Sequence, residues 1–135
     1  MRRSGRKISP ETQVESELRS APRDALLDAI SALEPLLVPQ GKEELRFRFA
    51  IHYASLAPLA DSAQRHARFL EARRLYDARS SVAHGGDLPA NVVDLAASAR
   101  TALRETILAL RNNAPASTKP EAWSQYWTKR LFGLE

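Results

Sequence analysis

The sequence predicts an all-α protein, a compact bundle of four to five helices followed by a short C-terminal aromatic helix. Apolar residues recur at intervals of three and four along most of the 135-residue chain. Runs of alternating valine, isoleucine and threonine, which favour strands, are missing, and no hairpin signal occurs. Glycine occupies only 5 positions. A chain of this length has room for a single domain with one core.

Two helices are expected before residue 40. Ser9-Pro10 begins the first, with serine as the N-cap and proline at the first helical position, and we expect this helix to end near Ser20. Ala21-Pro22 begins the second, in which leucine and isoleucine recur at helical spacing. Val38-Pro39-Gln40-Gly41 ends it, and Pro35 lies inside its last turn.

Three further helices follow in the bundle. The third is expected from Lys42 to about Ala60, and because it is apolar on two sides we place it at the centre. The fourth covers residues 61–84 and ends at Gly85-Gly86. The fifth runs from Leu88 to about Asn112.

An aromatic segment closes the chain. The final 13 positions hold four of the nine aromatic residues (2 Trp, 3 Tyr and 4 Phe), which are Trp123, Tyr126, Trp127 and Phe132. These side chains favour burial, so the short helix is expected to dock on the body of the protein. A second subunit or another partner could offer the docking surface instead, and a platform for stacking RNA bases is a further alternative.

The chain therefore divides into four segments: a basic disordered arm (residues 1–8), the helical bundle (9–112), a linker (113–120) and an amphipathic helix (121–135). The arm carries four basic residues, Arg2, Arg3, Arg6 and Lys7. Of the 20 basic residues, 16 remain in the rest of the chain, where 16 acidic residues balance them. The net charge of +4 thus permits a nucleic-acid partner without demanding one.

Several classes of site are excluded by composition. The chain has no cysteine, which rules out disulfides, thiolate zinc sites and cysteine nucleophiles. No pair of histidines or carboxylates has metal-ligand spacing, and no glycine-rich phosphate loop occurs, so we expect no cofactor. The basic start is followed by polar residues, where a signal peptide would have an apolar run. No segment is long and apolar enough to span a membrane. A soluble cytoplasmic protein without a membrane partner is expected.

The stretch from Leu75 to Gly86, LYDARSSVAHGG, carries the chemistry. It ends a helix with Arg79 and His84, which four residues separate. Histidine exchanges a proton near neutral pH, and a guanidinium holds a phosphate and stabilises the extra negative charge of its transition state. Together these two groups can cleave RNA without a metal.

The string resembles the R-x4-6-H signature of the HEPN superfamily and the Y-x-x-R-S-x-x-x-H-G core of its Apea-like group, and the resemblance extends over residues 24–112. It implies a dimeric helical bundle in which the motifs of both subunits share one cleft. It also implies a metal-independent endoribonuclease, a toxin or defence effector with a possible antitoxin or sensor-domain partner. On this resemblance Arg79 and His84 are the catalytic pair, and Tyr76, Asp77 and Ser80 bind the RNA substrate.

Helix geometry constrains this site. Five residues along a regular helix rotate a side chain by about 500°, which leaves Arg79 and His84 about 140° apart. A helix that unwinds at Gly85-Gly86, or a two-fold axis that adds a second pair, is needed to complete the cleft. His84 would then act as general base on a ribose 2'-hydroxyl or as general acid on the 5'-oxygen, leaving a 2',3'-cyclic phosphate.

Arg79 and His84 each also have a purely structural explanation. Arg79 can pair with Asp77 or Asp87 on the surface. His84, in the last turn of its helix, can interact with the helix dipole. Of the other histidines, His52 is expected to face the core and His66 to be solvated.

Two alternatives to the nuclease therefore stay open. One is a non-catalytic HEPN module that binds RNA or nucleotides, or that mediates dimerisation and contact with a partner. The other is a helical scaffold unrelated to nucleic acid, in which the aromatic tail makes the contacts. An antitoxin encoded beside the chain would favour the nuclease, and fusion to a sensor domain would favour the module.

Overall fold

The computed structural model describes residues 10–39, 43–87 and 89–134, and every regular element in them is a helix. The helices are α1 (Pro10–Leu37), α2 (Leu45–Ser55), α3 (Ser62–Ala83), α4 (Val92–Asn113) and α5 (Pro120–Phe132). The all-α class is confirmed, with a body of four helices and a short C-terminal fifth. The arm predicted for residues 1–8, the N-cap Ser9 and the helix starts at Lys42 and Leu88 lie outside the described residues.

None of the described helices combines the length and the apolar character needed to cross a bilayer.

The predicted break between the first two helices is wrong, because α1 continues through Pro22 as a single helix of 28 residues. It also continues past Pro35 to Leu37. A proline inside a helix costs a backbone hydrogen bond and about 3 kcal/mol. Burial of the apolar stripe that follows Pro22 offsets this cost. That stripe consists of Leu26, Ile30, Leu33 and Leu37, all at most 1% exposed.

The stripe of α1 packs mainly against α4. The buried face of α4 is made largely of small side chains, which let the two helix backbones approach closely. Its buried members include Ala96, Ala99 and Ala102. This pair of helices forms one half of the core.

The other half of the core is the antiparallel pair of α2 and α3. Near the start of α2, Arg46 bonds to Asp77 near the end of α3. At the opposite end, Arg65 near the start of α3 donates to the carbonyl of Ser55. Between these two contacts α2 buries six residues, which confirms its central position: Phe49, Ala50, His52, Tyr53, Ala54 and Ser55.

The predicted end of this helix near Ala60 is wrong, since α2 ends at Ser55. The residue before Pro58 is disfavoured in helical conformation. In addition, the guanidinium of Arg65 bonds to the carbonyl of Ser55, which the helix end leaves without a partner, and to the carbonyl of Ala57 just beyond it. Leu59, within the range expected to be helical, lies beyond the end of α2 and is 54% exposed.

The aromatic tail docks on the body of the same chain, as expected. Trp127 of α5 is 4% exposed, and its ring stacks on that of His52, with centroids 4.3 Å apart and planes 3° from parallel. The Nδ1–H of His52 donates to the carbonyl of Leu37 at 2.6 Å. One histidine therefore connects α1, α2 and α5, and its expected place in the core is confirmed.

Candidate active site

The end of α3 is shaped by two glycines. The Gly86 N–H donates to the carbonyl of Ser81 at 2.8 Å, and the Gly85 N–H donates to that of Val82 at 3.1 Å. These two bonds are the Schellman motif, which ends a helix with a left-handed residue. Gly85 has that conformation, with φ +81°, and a Cβ on Gly86 would lie 2.6 Å from the Ser81 hydroxyl. Helix termination thus accounts for both glycines.

His84 is the last residue before this turn, and it is exposed. Its Nδ1 lies 2.6 Å from the carbonyl oxygen of Ser80. A carbonyl oxygen can only accept, so Nδ1 carries the proton and donates it. In the neutral ring the lone pair is therefore on Nε2. The end of α3 holds an accessible histidine whose tautomer is set by a backbone bond, as a general base requires.

Arg79 points toward α1 rather than toward His84. Its Nη2 lies 3.8 Å from a carboxylate oxygen of Glu34, and the two side chains are 30% and 25% exposed. The sequence offered Asp77 and Asp87 as ion-pair partners, and the structure has a different carboxylate in that place. At 3.8 Å the contact is longer than a charge-assisted hydrogen bond.

Asp77 fastens α3 to α2. Its two carboxylate oxygens accept from Nε and Nη2 of Arg46 at 2.7 and 2.8 Å. This hydrogen bonding to Arg46 lowers the pKa of the Asp77 carboxyl, against an opposing effect of its partial burial. Because Arg46 occupies both oxygens, Asp77 has a structural role here, and its role in substrate binding stays a prediction.

Tyr76 and Ser80 are both half-buried. The ring of Tyr76 packs 5.3 Å from that of Phe49. Burial raises the pKa of the Tyr76 hydroxyl, Glu34 raises it further, and the nearby Arg79 lowers it. Ser80 uses its carbonyl to accept from both the backbone N–H and the ring of His84. Both residues support the end of α3, and their contact with substrate stays a prediction.

Within one chain, the two residues that the motif predicts to be catalytic do not come together. α3 is helical through Ala83, so the angular separation of about 140° between Arg79 and His84 applies. Among the described residues no hydrogen bond or ion pair joins the two side chains. Arg79 contacts α1, whereas His84 is exposed at the end of the helix.

Two residues that bear on the site were missed by the sequence analysis. Glu34 and Arg46 come from α1 and α2, and they engage Arg79 and Asp77 respectively. Neither residue has a local sequence signal, because ion pairs between helices depend on packing.

In the described ranges no group of three or more histidines and carboxylates is placed to hold a metal ion.

No protein-family model matches the chain, and comparisons with curated proteins and with solved structures gave no significant match.

Proposed function

We propose that this protein is a HEPN-type, metal-independent endoribonuclease that works as a dimer. The observation that supports it most is the state of His84. The residue that the sequence motif assigns to proton transfer is exposed at the end of α3, with Nδ1–H donated to Ser80 and Nε2 left for a substrate. A role as a helix cap would explain His84 alone, but it would not explain why Arg79 stands before it at the spacing of the motif.

In this mechanism Nε2 of His84 takes the proton from a ribose 2'-hydroxyl, and the departing 5'-oxygen takes up a proton from a protonated His84 or from water. The 2'-oxygen attacks the adjacent phosphorus, and the bond to the 5'-oxygen breaks. The products are a 2',3'-cyclic phosphate and a 5'-hydroxyl. Arg79 stabilises the negative charge that grows on the non-bridging oxygens.

Arg79 must leave Glu34 to play this part. The 3.8 Å separation makes this exchange feasible, because a phosphate offers shorter, bidentate, charge-assisted bonds to a guanidinium. A second subunit related by a two-fold axis near the end of α3 would bring a second Arg79 and His84 to the same phosphate. A dimer can thus place an Arg79 and a His84 at one phosphate, although the two side chains of one chain lie apart.

The biological setting belongs to the same proposal. A metal-independent nuclease of this size fits a cytoplasmic toxin or defence effector, held in check by an antitoxin or coupled to a sensor domain. RNA is its substrate and a second copy of the chain its structural partner.

The test is cleavage of mixed RNA by the purified protein in EDTA, with detection of cyclic phosphate ends. Replacing His84 or Arg79 by alanine should lower the rate by ~10²-fold or more, while circular dichroism and melting stay close to wild type. His66→Ala and Arg74→Ala are matched controls, because both residues are exposed on the same helix. Cleavage that survives His84→Ala, or that requires magnesium, contradicts the proposal.

A non-catalytic HEPN module that binds RNA or nucleotides is the second candidate. The ion pair of Arg79 with Glu34 favours it, because that pair holds Arg79 away from His84. In this case the wild type binds RNA without cutting it, and Arg79→Ala alone loses binding. Light scattering then separates the two candidates further, since the nuclease requires a dimer at working concentration.

A further inference from the structure

A cavity of about 630 Å³ lies far along the chain from the candidate active site. The end of α4 and the following segment contribute Asn113 and Pro115, and the rest of the lining comes from α5 and Leu134. Its volume is within the range of small-molecule sites in proteins. No residue of α3 lines it, so it is separate from the Arg79–His84 region.

The charged residues that line this cavity, within the described part of the chain, are both cations. They are Lys129, which is exposed, and Arg130, which is half-buried. Arg130 also donates Nη2 to the carbonyl of Leu56 at 3.2 Å, which holds its guanidinium against the end of α2. A positive charge is therefore fixed at the cavity wall rather than free in solvent.

Two buried polar atoms of the lining residues have no hydrogen-bond partner among the described atoms. They are the hydroxyl of Tyr126 and Nε of Arg130. Both are donors, and a buried donor without an acceptor destabilises a protein. An acceptor carried by a ligand satisfies the Tyr126 hydroxyl when that side chain turns toward the cavity, while Arg130 keeps its bond to Leu56 and offers its remaining N–H groups.

The remaining lining is mixed. Pro115, Ala122 and Leu134 provide apolar surface, while Asn113 and Gln125 provide amides. An apolar body beside convergent polar groups is the usual composition of a small-molecule site.

The geometry points to a binding site for a small organic anion, with a phosphate or carboxylate head on Lys129 and Arg130 and an apolar body against Pro115 and Leu134. This site is additional to the proposed RNA cleavage, and the inference does not depend on that proposal.

Calorimetric titration of the full chain with 1-naphthyl phosphate tests the site. Two matched probes separate its parts: 1-naphthol has the same body without the charge, and inorganic phosphate has the charge without the body. Binding of 1-naphthyl phosphate at one site per chain, at least ~10-fold tighter than either probe, supports the assignment. Equal affinity for 1-naphthol, or no binding at millimolar concentration, overturns it.

Variants locate the binding. Lys129→Gln should weaken the affinity for 1-naphthyl phosphate by ~10-fold, the usual size of a charge-assisted contact. Lys119→Gln, which removes the same charge at the exposed start of α5, should leave it unchanged. Equal loss in both variants indicates nonspecific attraction and overturns the site.

Tyr126→Phe adds a readout that a purely structural role would not give. Removing a buried hydroxyl without a partner should leave the melting temperature of the free protein unchanged or raise it, yet weaken binding of 1-naphthyl phosphate. Undiminished binding by both Tyr126→Phe and Lys129→Gln overturns the assignment.

Discussion

His52 and His84 make the same bond in opposite surroundings. Each donates Nδ1–H to a backbone carbonyl at 2.6 Å, His52 to Leu37 and His84 to Ser80. His52 is 7% exposed under the ring of Trp127, whereas His84 is exposed at the end of α3. The bond sets the tautomer in both cases, and accessibility decides whether the other nitrogen can exchange a proton with a substrate. Burial makes one histidine structural and leaves the other available for chemistry.

The largest expected effect is on the stability of the His52 region. Trp127→Ala removes the ring stacked on His52 and should lower the free energy of unfolding by ~3–5 kcal/mol, as for other buried aromatic truncations. Phe132→Ala is the control, because Phe132 is on the same helix but 72% exposed, and it should change stability by less than ~0.5 kcal/mol. Urea denaturation measures both. Equal losses would show that the contact between α5 and the body does not depend on the His52 stack.

The second-largest expected effect is a loss of stability in acid, caused by protonation of His52. Burial lowers the pKa of His52 to about 4; the proximity of Arg48 adds to this effect, and the bond to Leu37 opposes it. The folded-state pKa lies below the unfolded value of about 6.5. The contribution of neutral, buried His52 to the free energy of unfolding is therefore complete above pH 6.5 and is lost as pH falls to 4. At 1.36 kcal/mol per pKa unit the loss amounts to roughly 3 kcal/mol.

The matched variant for this pH dependence is His52→Phe, which keeps an aromatic ring beside Trp127 but cannot be protonated. Denaturation curves between pH 7 and pH 4 should show a smaller loss for this variant than for wild type. Parallel losses would assign the acid effect to carboxylates elsewhere and remove the pH contrast between the two histidines.

A smaller effect is expected at the end of α3 that carries His84. Gly85→Ala places a side chain at φ +81°, where an L residue costs about 1–2 kcal/mol, although no atom lies within 4 Å of the new Cβ. Gly85→Asn should lose less, because asparagine tolerates this conformation. Thermal melting of the two variants measures the difference. Equal melting temperatures for alanine, asparagine and wild type would mean that the Schellman turn does not hold His84 in place.

Local signals predicted the elements on which the site stands. Asp61 was expected to begin the fourth helix, and its carboxylate caps α3 by accepting from the Gln64 N–H at 2.9 Å. Gly85-Gly86 was expected to end it, and the Schellman turn is there. Such signals are reliable because both partners of each bond are at most five residues apart in the sequence.

The surroundings of the motif were not predictable in the same way. The sequence placed Arg79 beside Asp77 or Asp87, yet its partner is Glu34 of α1. It also placed a helix end at Ala21-Pro22, where α1 continues. In both cases residues far away in the chain decide the outcome, by offering a carboxylate or by burying a leucine stripe that offsets the cost of proline.

Sequence alone is therefore sufficient for the all-α class, for the extent of α3 and for the docking of an aromatic tail, because helical periodicity and caps are local and large aromatic side chains favour burial. Only the tertiary structure stacks His52 on Trp127, pairs Arg79 with Glu34 and opens a cationic cavity beside Lys129. Those features arise where helices distant in sequence meet, and the energies that select them come from packing and desolvation rather than from any single segment.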